Sequence, residues 1–281
     1  MKIAIGLPAY NEEKNIASII TKLQDEYDFV IVCDDGSSDL TGKIASKMGA
    51  TVITHEKNKG YGAAIRSLFL KSKEIEAIYR SKVAKKYDLP ISHFFGKYKK
   101  LAFNDSSLKN GDRVLVFCCG TGLDFSHILR KIGKNGKIIG VDFSSEMLNK
   151  AKEKIKKNKW DNIELIQADV TKFQYKIDKK FDVGVCTLGM SIIPEYKSAY
   201  YNLVSYVKKQ GEIIIGDMQL ASGWRARLNP LSIFLAKRYG GSYKGHQNSL
   251  ELCNIMKKEL RGVKKKEFFF NSYFYCIGKI K

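Results

Sequence analysis

The stretches RVLVFCCGTGLDFSHILRKIG (113–133), KIIGVDFS (137–144) and IELIQADV (163–170) decide the reading of this chain. Each opens on an apolar run of strand length, and the first passes through a glycine turn into a segment with apolar residues at helical spacing. Outward from them the alternation continues. SEMLNKAKEKIKK (145–157) reads as a helix, FDVGVCTLG (181–189) as a strand, YKSAYYNLVSYV (196–207) as a helix and EIIIGDMQ (212–219) as a strand. KKEFFFN (265–271) and YFYCIGKI (273–280) are placed to pair as an antiparallel hairpin. Strands alternating with helices predict an α/β sheet whose pairing becomes mixed at the hairpin edge.

In such a sheet, ligands bind beyond the carboxyl ends of the strands. The Cys118–Gly122 turn lies at one of those ends. Gly120 and Gly122 let the backbone approach a ligand closely, and the helix amino end that follows favours anionic groups. Asp142 ends the next strand, where an acidic side chain accepts hydrogen bonds from ribose hydroxyls. Asp169 ends the third. A glycine turn alone is equally well explained as a tight turn. The joint placement of Gly120, Asp142 and Asp169 on successive strands points to a nucleotide-like cofactor.

This constellation resembles the class I S-adenosylmethionine-dependent methyltransferases over residues 75–281, with VLVFCCGTG (114–122), IIGVDFSSEML (138–148), IELIQADVTKF (163–173), FDVGVCTLGMSIIPEY (181–196) and QGEIIIGD (210–217) in the family's order. YRSKVAKKYD (79–88) is similar to the helix that opens quinone-biosynthesis-type methyltransferases. The resemblance implies a Rossmann-like methyltransferase sheet with a C-terminal antiparallel hairpin, and S-adenosyl-L-methionine as cofactor. It implies that Cys119, Gly120 and Gly122 line the methionine part, Asp142 the ribose, and Phe143 and Met147 the adenine face. Asp169 and Val170 would read the adenine edge, and Thr187 and Leu188 would approach the methyl-bearing side. One departure stands out: where the family carries an acid two residues after Val114, this chain has Val116. Asp124 is a candidate substitute; a buried strand with a weakened site is the alternative. A dinucleotide dehydrogenase fits less well, because no GxxG follows the GTG.

No catalytic base is legible, since displacement at a sulfonium draws on orientation and desolvation. The segment 191–224 is similar to phospholipid and lipid-headgroup N-methyltransferases, and no Asn-Pro-Pro-Tyr motif of nucleic-acid enzymes occurs. GWRARLNPLSIFLAKRYGG (223–241) mixes Trp224, Leu228, Leu231, Phe234 and Leu235 with Arg225, Arg227, Lys237 and Arg238. That mixture suits peripheral contact with an anionic membrane or a pocket for a phosphate-bearing lipid; a substrate lid with a plain core face explains it equally. The expected acceptor is lipid-linked or small and amphipathic, ahead of RNA.

Residues 1–74 form a different unit. KIAIGLP (2–8), FVIVCDDGSSD (29–39) and ATVITHE (50–56) read as strands, with helices between them, the first capped by Asn11 with Glu12 and Glu13 in its first turn, the second capped by Ser38 or Asp39. PAYNEEKNI (8–16), IVCDDGSSDLT (31–41) and NKGYGAAIR (58–66) resemble the start of a family 2 glycosyltransferase, of the dolichyl-phosphate sugar transferase branch. The resemblance implies a βαβαβ half-domain of GT-A type, with Pro8, Tyr10, Glu12 and Asp35 placed against a nucleotide sugar. It then stops. No Asp-X-Asp pair occurs in the chain, so the metal-held diphosphate of that family has no ligand set. An inactive remnant is the expected reading, and sugar transfer to a polyprenyl phosphate is the alternative.

IEAIYRSKVAKKYDL (75–89) places Ile75, Ile78, Tyr79, Val83 and Tyr87 near helical spacing. No turn signal separates it from the helix begun at Gly60, so a continuous helical junction is expected at 70–78. Charge divides the chain at the same seam. The 281 residues carry a net charge of +20, yet residues 1–74 hold 10 basic and 10 acidic side chains, and 75–281 hold 39 and 19. The basic excess therefore accompanies a cofactor fold, although a basic membrane- or RNA-binding module with degenerate sites stays open. A 44% apolar composition excludes a disordered chain. The six cysteines show no CxxC spacing, and Cys33, Cys186 and Cys276 sit in apolar runs. A reduced, cytoplasmic protein without a metal site is expected. The opening apolar run is too short for a signal peptide, and no stretch reaches the ~20 apolar residues of a membrane span.

Overall fold

The computed structural model describes residues 3–176, 178–230, 233–234 and 242–281, leaving aside the side chains of 73–86 and 228. The side chains of Ile75, Ile78, Tyr79, Val83 and Leu228, and residues Leu231, Leu235, Lys237 and Arg238, thus lie outside the described residues. The chain falls into two compact units, Met1–Arg80 and Ser81–Lys281.

In the first unit, β1 (Ala4–Ala9), α1 (Ile16–Glu26), β2 (Phe29–Asp34), α2 (Thr41–Lys47) and β3 (Thr51–Thr54) follow one another as the sequence predicts. The three strands are parallel in the order β1-β2-β3. The central strand β2 is apolar on both faces because both are covered. Val30 and Val32 meet Ile16, Ile20 and Ala45, while Ile31 and Cys33 meet Ala64 and Leu68.

The capping expectations need correction. Asn11 does not cap α1. It takes a left-handed backbone, φ 54°, which asparagine tolerates, and its Oδ1 accepts from the Ser38 amide at 2.9 Å. The helix starts four residues later, so neither Glu12 nor Glu13 falls in its first turn. Ser38 does not cap α2, whose N-cap is Leu40. Asp39 accepts from the Thr41 and Glu13 amides at 2.9 and 3.1 Å, tying the two strand-end loops together.

α3 (Tyr61–Asp105) is one continuous backbone helix through the expected junction, and it runs beyond Asp88 with Pro90 inside it. The second unit continues with β4 (Arg113–Phe117), α4 (Phe125–Ile132), β5 (Lys137–Asp142), α5 (Ser145–Asn158), β6 (Ile163–Gln167), β7 (Phe181–Thr187), a 3-10 turn (Met190–Ile192), α6 (Tyr196–Tyr206) and β8 (Val207–Met218). A second 3-10 turn (Gly223–Leu228), α7 (Tyr243–Glu259), β9 (Arg261–Phe268) and β10 (Tyr273–Lys279) complete it. The sheet order is β6-β5-β4-β7-β8-β10-β9. Five strands are parallel, and β10 is antiparallel to both β8 and β9, the expected hairpin.

The order reverses at β4, whose neighbours are β5 and β7, so a crevice opens beyond the carboxyl end of β4. Successive β4 residues fill opposite cores: Leu115 and Phe117 pack on the α6–α7 side, Val114 and Val116 against Phe103 and α4. Val116 is therefore core, and an acid in its place would bury a charge there. The β9–β10 turn holds Phe269, Phe270 and Asn271 at φ 53°, 54° and 69°. Each such left-handed non-glycine residue costs on the order of 1 kcal/mol.

Candidate cofactor and acceptor site

The glycine turn following β4 is built from left-handed residues: Cys118, Gly120 and Gly122 have φ of 52°, 53° and 73°. The two glycines serve different ends. A Cβ on Gly122 would lie 2.5 Å from the Phe125 ring, so this glycine lets α4 close on the strand. A Cβ on Gly120 would meet nothing within 4 Å; the turn is open on that side and can take a ligand against its backbone. The neighbouring Cys119 is buried, and burial pushes its thiol well above the ordinary range. Cys118 is held up similarly, first by its hydrogen bond with Cys186 and then by burial.

Asp142, at the end of β5, accepts from the Gly120 amide at 2.8 Å through Oδ2 and from the Ser144 amide at 2.9 Å through Oδ1. Ser144 in turn caps α5, its hydroxyl accepting from the Met147 amide at 3.2 Å. One carboxylate thus joins the glycine turn, the second strand end and the helix bearing Met147. Phe143 is exposed beside it. Asp169 is also exposed, and Thr171, hydrogen-bonded to it through hydroxyl and amide at 2.7 and 2.9 Å, holds its carboxyl below the usual range. Val170 packs into the core, and its carbonyl accepts from Asn202 at 2.9 Å. Thr187 donates to Asp124 Oδ2 at 2.5 Å, and the amide of Leu188, itself left-handed, donates to the Gly216 carbonyl at 2.7 Å.

Several site groups carry no sequence motif. Asp88, on α3, accepts from the hydroxyl of Thr121 in the glycine turn and pairs with Lys154 at 2.9 Å. The likeness of YRSKVAKKYD to an opening helix is the one sequence signal that leads to it. The hydroxyl of Tyr87 is pushed up by burial and by Asp124, Asp142 and Asp217 around it. Asp124 forms a buried ion pair with Lys99, 3.1 Å apart, so its charge is already matched within the protein.

On the hairpin side, Asp217 is fully buried at the end of β8. It accepts from the Ser191 amide and hydroxyl at 2.9 and 2.6 Å and from the Met218 amide at 2.7 Å, and burial raises its carboxyl to about 6. Tyr273 crosses over Gly216: a Cβ there would sit 2.8 Å from its hydroxyl. That hydroxyl is buried and has no hydrogen-bond partner among the described residues.

His246, on α7, is fully buried with neither ring nitrogen partnered among the described residues, and burial lowers it from 6.5 to about 4. Its folded value lies below its unfolded one, so the stability it permits is present above about pH 6.5 and is lost as the pH falls towards 4. His246→Leu should therefore gain about 2–3 kcal/mol relative to the parent between about pH 7 and 4.5. Asp217, raised on folding, has the opposite slope, and comparison with the parent cancels it. Urea unfolding followed by Trp160 and Trp224, the two tryptophans, both in this unit, measures the difference.

In the first unit Asp35 lies at the end of β2 as expected, but its oxygens are occupied. Oδ1 meets His55 Nδ1 at 2.5 Å and the Lys59 amide at 3.0 Å, and Oδ2 accepts from the Gly60 amide at 2.7 Å. The His55 bond holds this carboxyl below the usual range. Pro8 pairs with Cys33 in register, Tyr10 is exposed, and Glu12 accepts from Asn15 at 3.0 Å. Among the described residues, no group of three His, Cys, Asp or Glu is placed to hold a metal ion, and no helix is long and apolar enough to cross a membrane.

Residues 4–74 match the glycosyl transferase family 2 model, and residues 108–260 match a model described as a methyltransferase domain. Demethylmenaquinone methyltransferase of Alkalihalophilus pseudofirmus is 30% identical over 149 residues, 51% of this chain and 62% of that protein. The chain thus spans less than two thirds of that relative. The Oceanobacillus iheyensis enzyme of the same name is 28% identical over 63% of this chain and 75% of its own length. A SAM-dependent methyltransferase from Aquifex aeolicus shares the fold at a TM-score of 0.53, with 19% identity, over 72% of this chain and 98% of that one. With more than half of its residues matched, the chain belongs to the methyltransferase-domain family and carries a glycosyl transferase family 2 segment ahead of that domain.

Proposed function

We propose that residues 75–281 transfer the methyl group of S-adenosylmethionine to a lipid-linked or small amphipathic acceptor of the quinone type. The observation that carries this reading is the Gly120–Asp142 junction, a carboxylate holding open a glycine turn that has free space in front of it. Bound there, the cofactor supplies an electrophilic methyl group on a sulfonium. Cys119, Gly120 and Gly122 offer backbone to its methionine part. An ionised carboxylate accepts at about four lone-pair positions, and a ribose hydroxyl can share Asp142 with the Gly120 and Ser144 amides. Phe143 and Met147 suit the adenine face, Asp169 and Val170 its edge, and Thr187 and Leu188 the methyl-bearing side. With Asp124 matched by Lys99, the carboxylates of Asp142 and Asp217 near Tyr87 are the ones that favour a cation.

On the acceptor side, the Tyr273 hydroxyl beside Thr187, unpartnered among the described residues, suits an acceptor oxygen, because a buried donor without a partner is costly. An oxygenated ring with an apolar tail offers that oxygen, and the two relatives are named for such a substrate. A cytoplasmic protein in peripheral contact with an anionic membrane fits this acceptor class, and nucleic acid does not. Residues 1–74 we read as a half-domain without catalytic activity, since Asp35 is engaged by His55, Lys59 and Gly60.

Calorimetric titration with S-adenosylhomocysteine tests the core of the proposal. Saturable micromolar binding to the full chain is expected; absence of heat at millimolar ligand overturns it.

A further inference from the structure

Apolar rings face solvent at one edge of the second unit. The turn joining β9 to β10 follows the carboxyl end of β8 in space, because Tyr273, the first residue of β10, pairs with Met218 at the end of β8. This is the edge on which the glycine turn and Asp142 lie. Phe269 and Phe270 form that turn in the left-handed region, and Phe270 is 61% exposed. Phe94 of α3, 50% exposed, meets the Phe269 ring edge-on at 6.0 Å. From the other flank, Arg225 donates to the Asn271 side chain at 3.1 Å and lies 5.5 Å over the ring of Trp224, which is 72% exposed. Three rings on three separate elements thus present a largely open apolar rim.

Such a rim is unusual on a protein surface. Consecutive left-handed phenylalanines are strained, and their strain is not repaid by burying the Phe270 ring. Basic side chains surround it. Lys97 lies one turn from Phe94 on α3 and Arg227 three residues beyond Trp224, and both are exposed. The acidic side chain at hand, Glu267, is already paired with Lys265 at 2.5 Å. Aromatic rings that enter a headgroup layer, bordered by cations, match an anionic bilayer in both polarity and charge.

We propose that Phe94, Phe270 and Trp224 form a docking rim for the surface of an anionic phospholipid bilayer, at the edge where the cofactor crevice opens. The inference rests on the lipid-acceptor reading above and gives that reading a route. An acceptor anchored in the bilayer reaches the strand ends without crossing water.

The test uses the full chain and vesicles of phosphatidylglycerol and phosphatidylcholine in equal parts, beside pure phosphatidylcholine. Co-sedimentation with the anionic vesicles is expected, and the double variant W224S/F270S should bind them at least about tenfold more weakly. In a Trp160→Phe background, Trp224 emission should shift to the blue on adding anionic vesicles. Both substitutions are at exposed positions outside the cofactor site, so S-adenosylhomocysteine binding should persist. Undiminished vesicle binding by the double variant overturns the proposal, as does binding of single-stranded RNA without binding of vesicles. Vesicle binding without S-adenosylhomocysteine binding leaves the rim standing and removes the methyltransferase reading. The reverse result removes the rim alone.

Discussion

Asp142→Ala should weaken S-adenosylhomocysteine binding by about 100-fold while leaving the sheet folded. The carboxylate accepts from two amides on different segments, Gly120 and Ser144. Its removal leaves both without that acceptor and lets the glycine turn drift from the end of β5. Hydrogen bonds to a charged acceptor contribute about 1.5–3 kcal/mol each, and the proposed ribose contact would add one or two more of the same kind. Water reaches this half-buried edge and restores part of the loss in the free protein, so the deficit appears mainly in the complex. The cap of α5 survives, because the Ser144 hydroxyl and not Asp142 accepts from Met147. Asp142→Asn keeps one acceptor oxygen and should fall between the two, near tenfold weaker by the same reasoning. Calorimetry on the three proteins, with tryptophan fluorescence to confirm folding, measures this. An Asp142→Ala protein that binds within a factor of about two of the parent would remove the ribose role.

The strands are legible because burial on both faces demands unbroken apolar runs, as in FVIVC (29–33) and EIIIG (212–216), each ending at a glycine or acid. The Gly120–Asp142 contact is legible for a related reason: adjacent parallel strands bring residues at their ends together whatever lies between. What fails to show is everything fixed across the fold by side chains. Asn11 reads as a cap, because asparagine before an acidic pair is the usual signal; the left-handed turn that uses it depends on Ser38, 27 residues away. The helical pattern read from the sequence stops at Leu89, yet α3 continues through Pro90 to Asp105. Tyr273 lies in an apolar run like any other strand residue; its place over Gly216 follows only from the β8–β10 register. Asp124 is legible as a substitute for the missing acid at position 116. No pattern in a lysine-rich helix singles out Lys99 as the cation that neutralises it.

That pair carries the largest expected stability effect. Lys99 and Asp124 are each only 5% exposed, and their charged atoms lie 3.1 Å apart. Lys99→Met keeps most of the buried stem but leaves the Asp124 carboxylate, among the described residues, with the Thr187 hydroxyl as its hydrogen-bond donor. Removing one member of a buried pair typically costs about 3–5 kcal/mol, because the survivor's charge stays in a medium that solvates it poorly. The pair itself need not be strongly stabilising, since the attraction is set against the desolvation of both ions. Lys99→Met/Asp124→Asn should therefore recover most of the loss: the introduced amide stays polar enough to bond Thr187 and brings no charge into the core. A coupling of about 2 kcal/mol or more in this double-mutant cycle is expected from urea unfolding followed by tryptophan emission. Both tryptophans belong to the unit that holds the pair, so the transition reports on that unit alone. A Lys99→Met loss below about 1 kcal/mol would mean that water or another cation compensates Asp124. Where water is what compensates it, the carboxylate would be free to face the cofactor's ammonium group, and S-adenosylmethionine should bind more tightly to the Lys99→Met protein than to the parent.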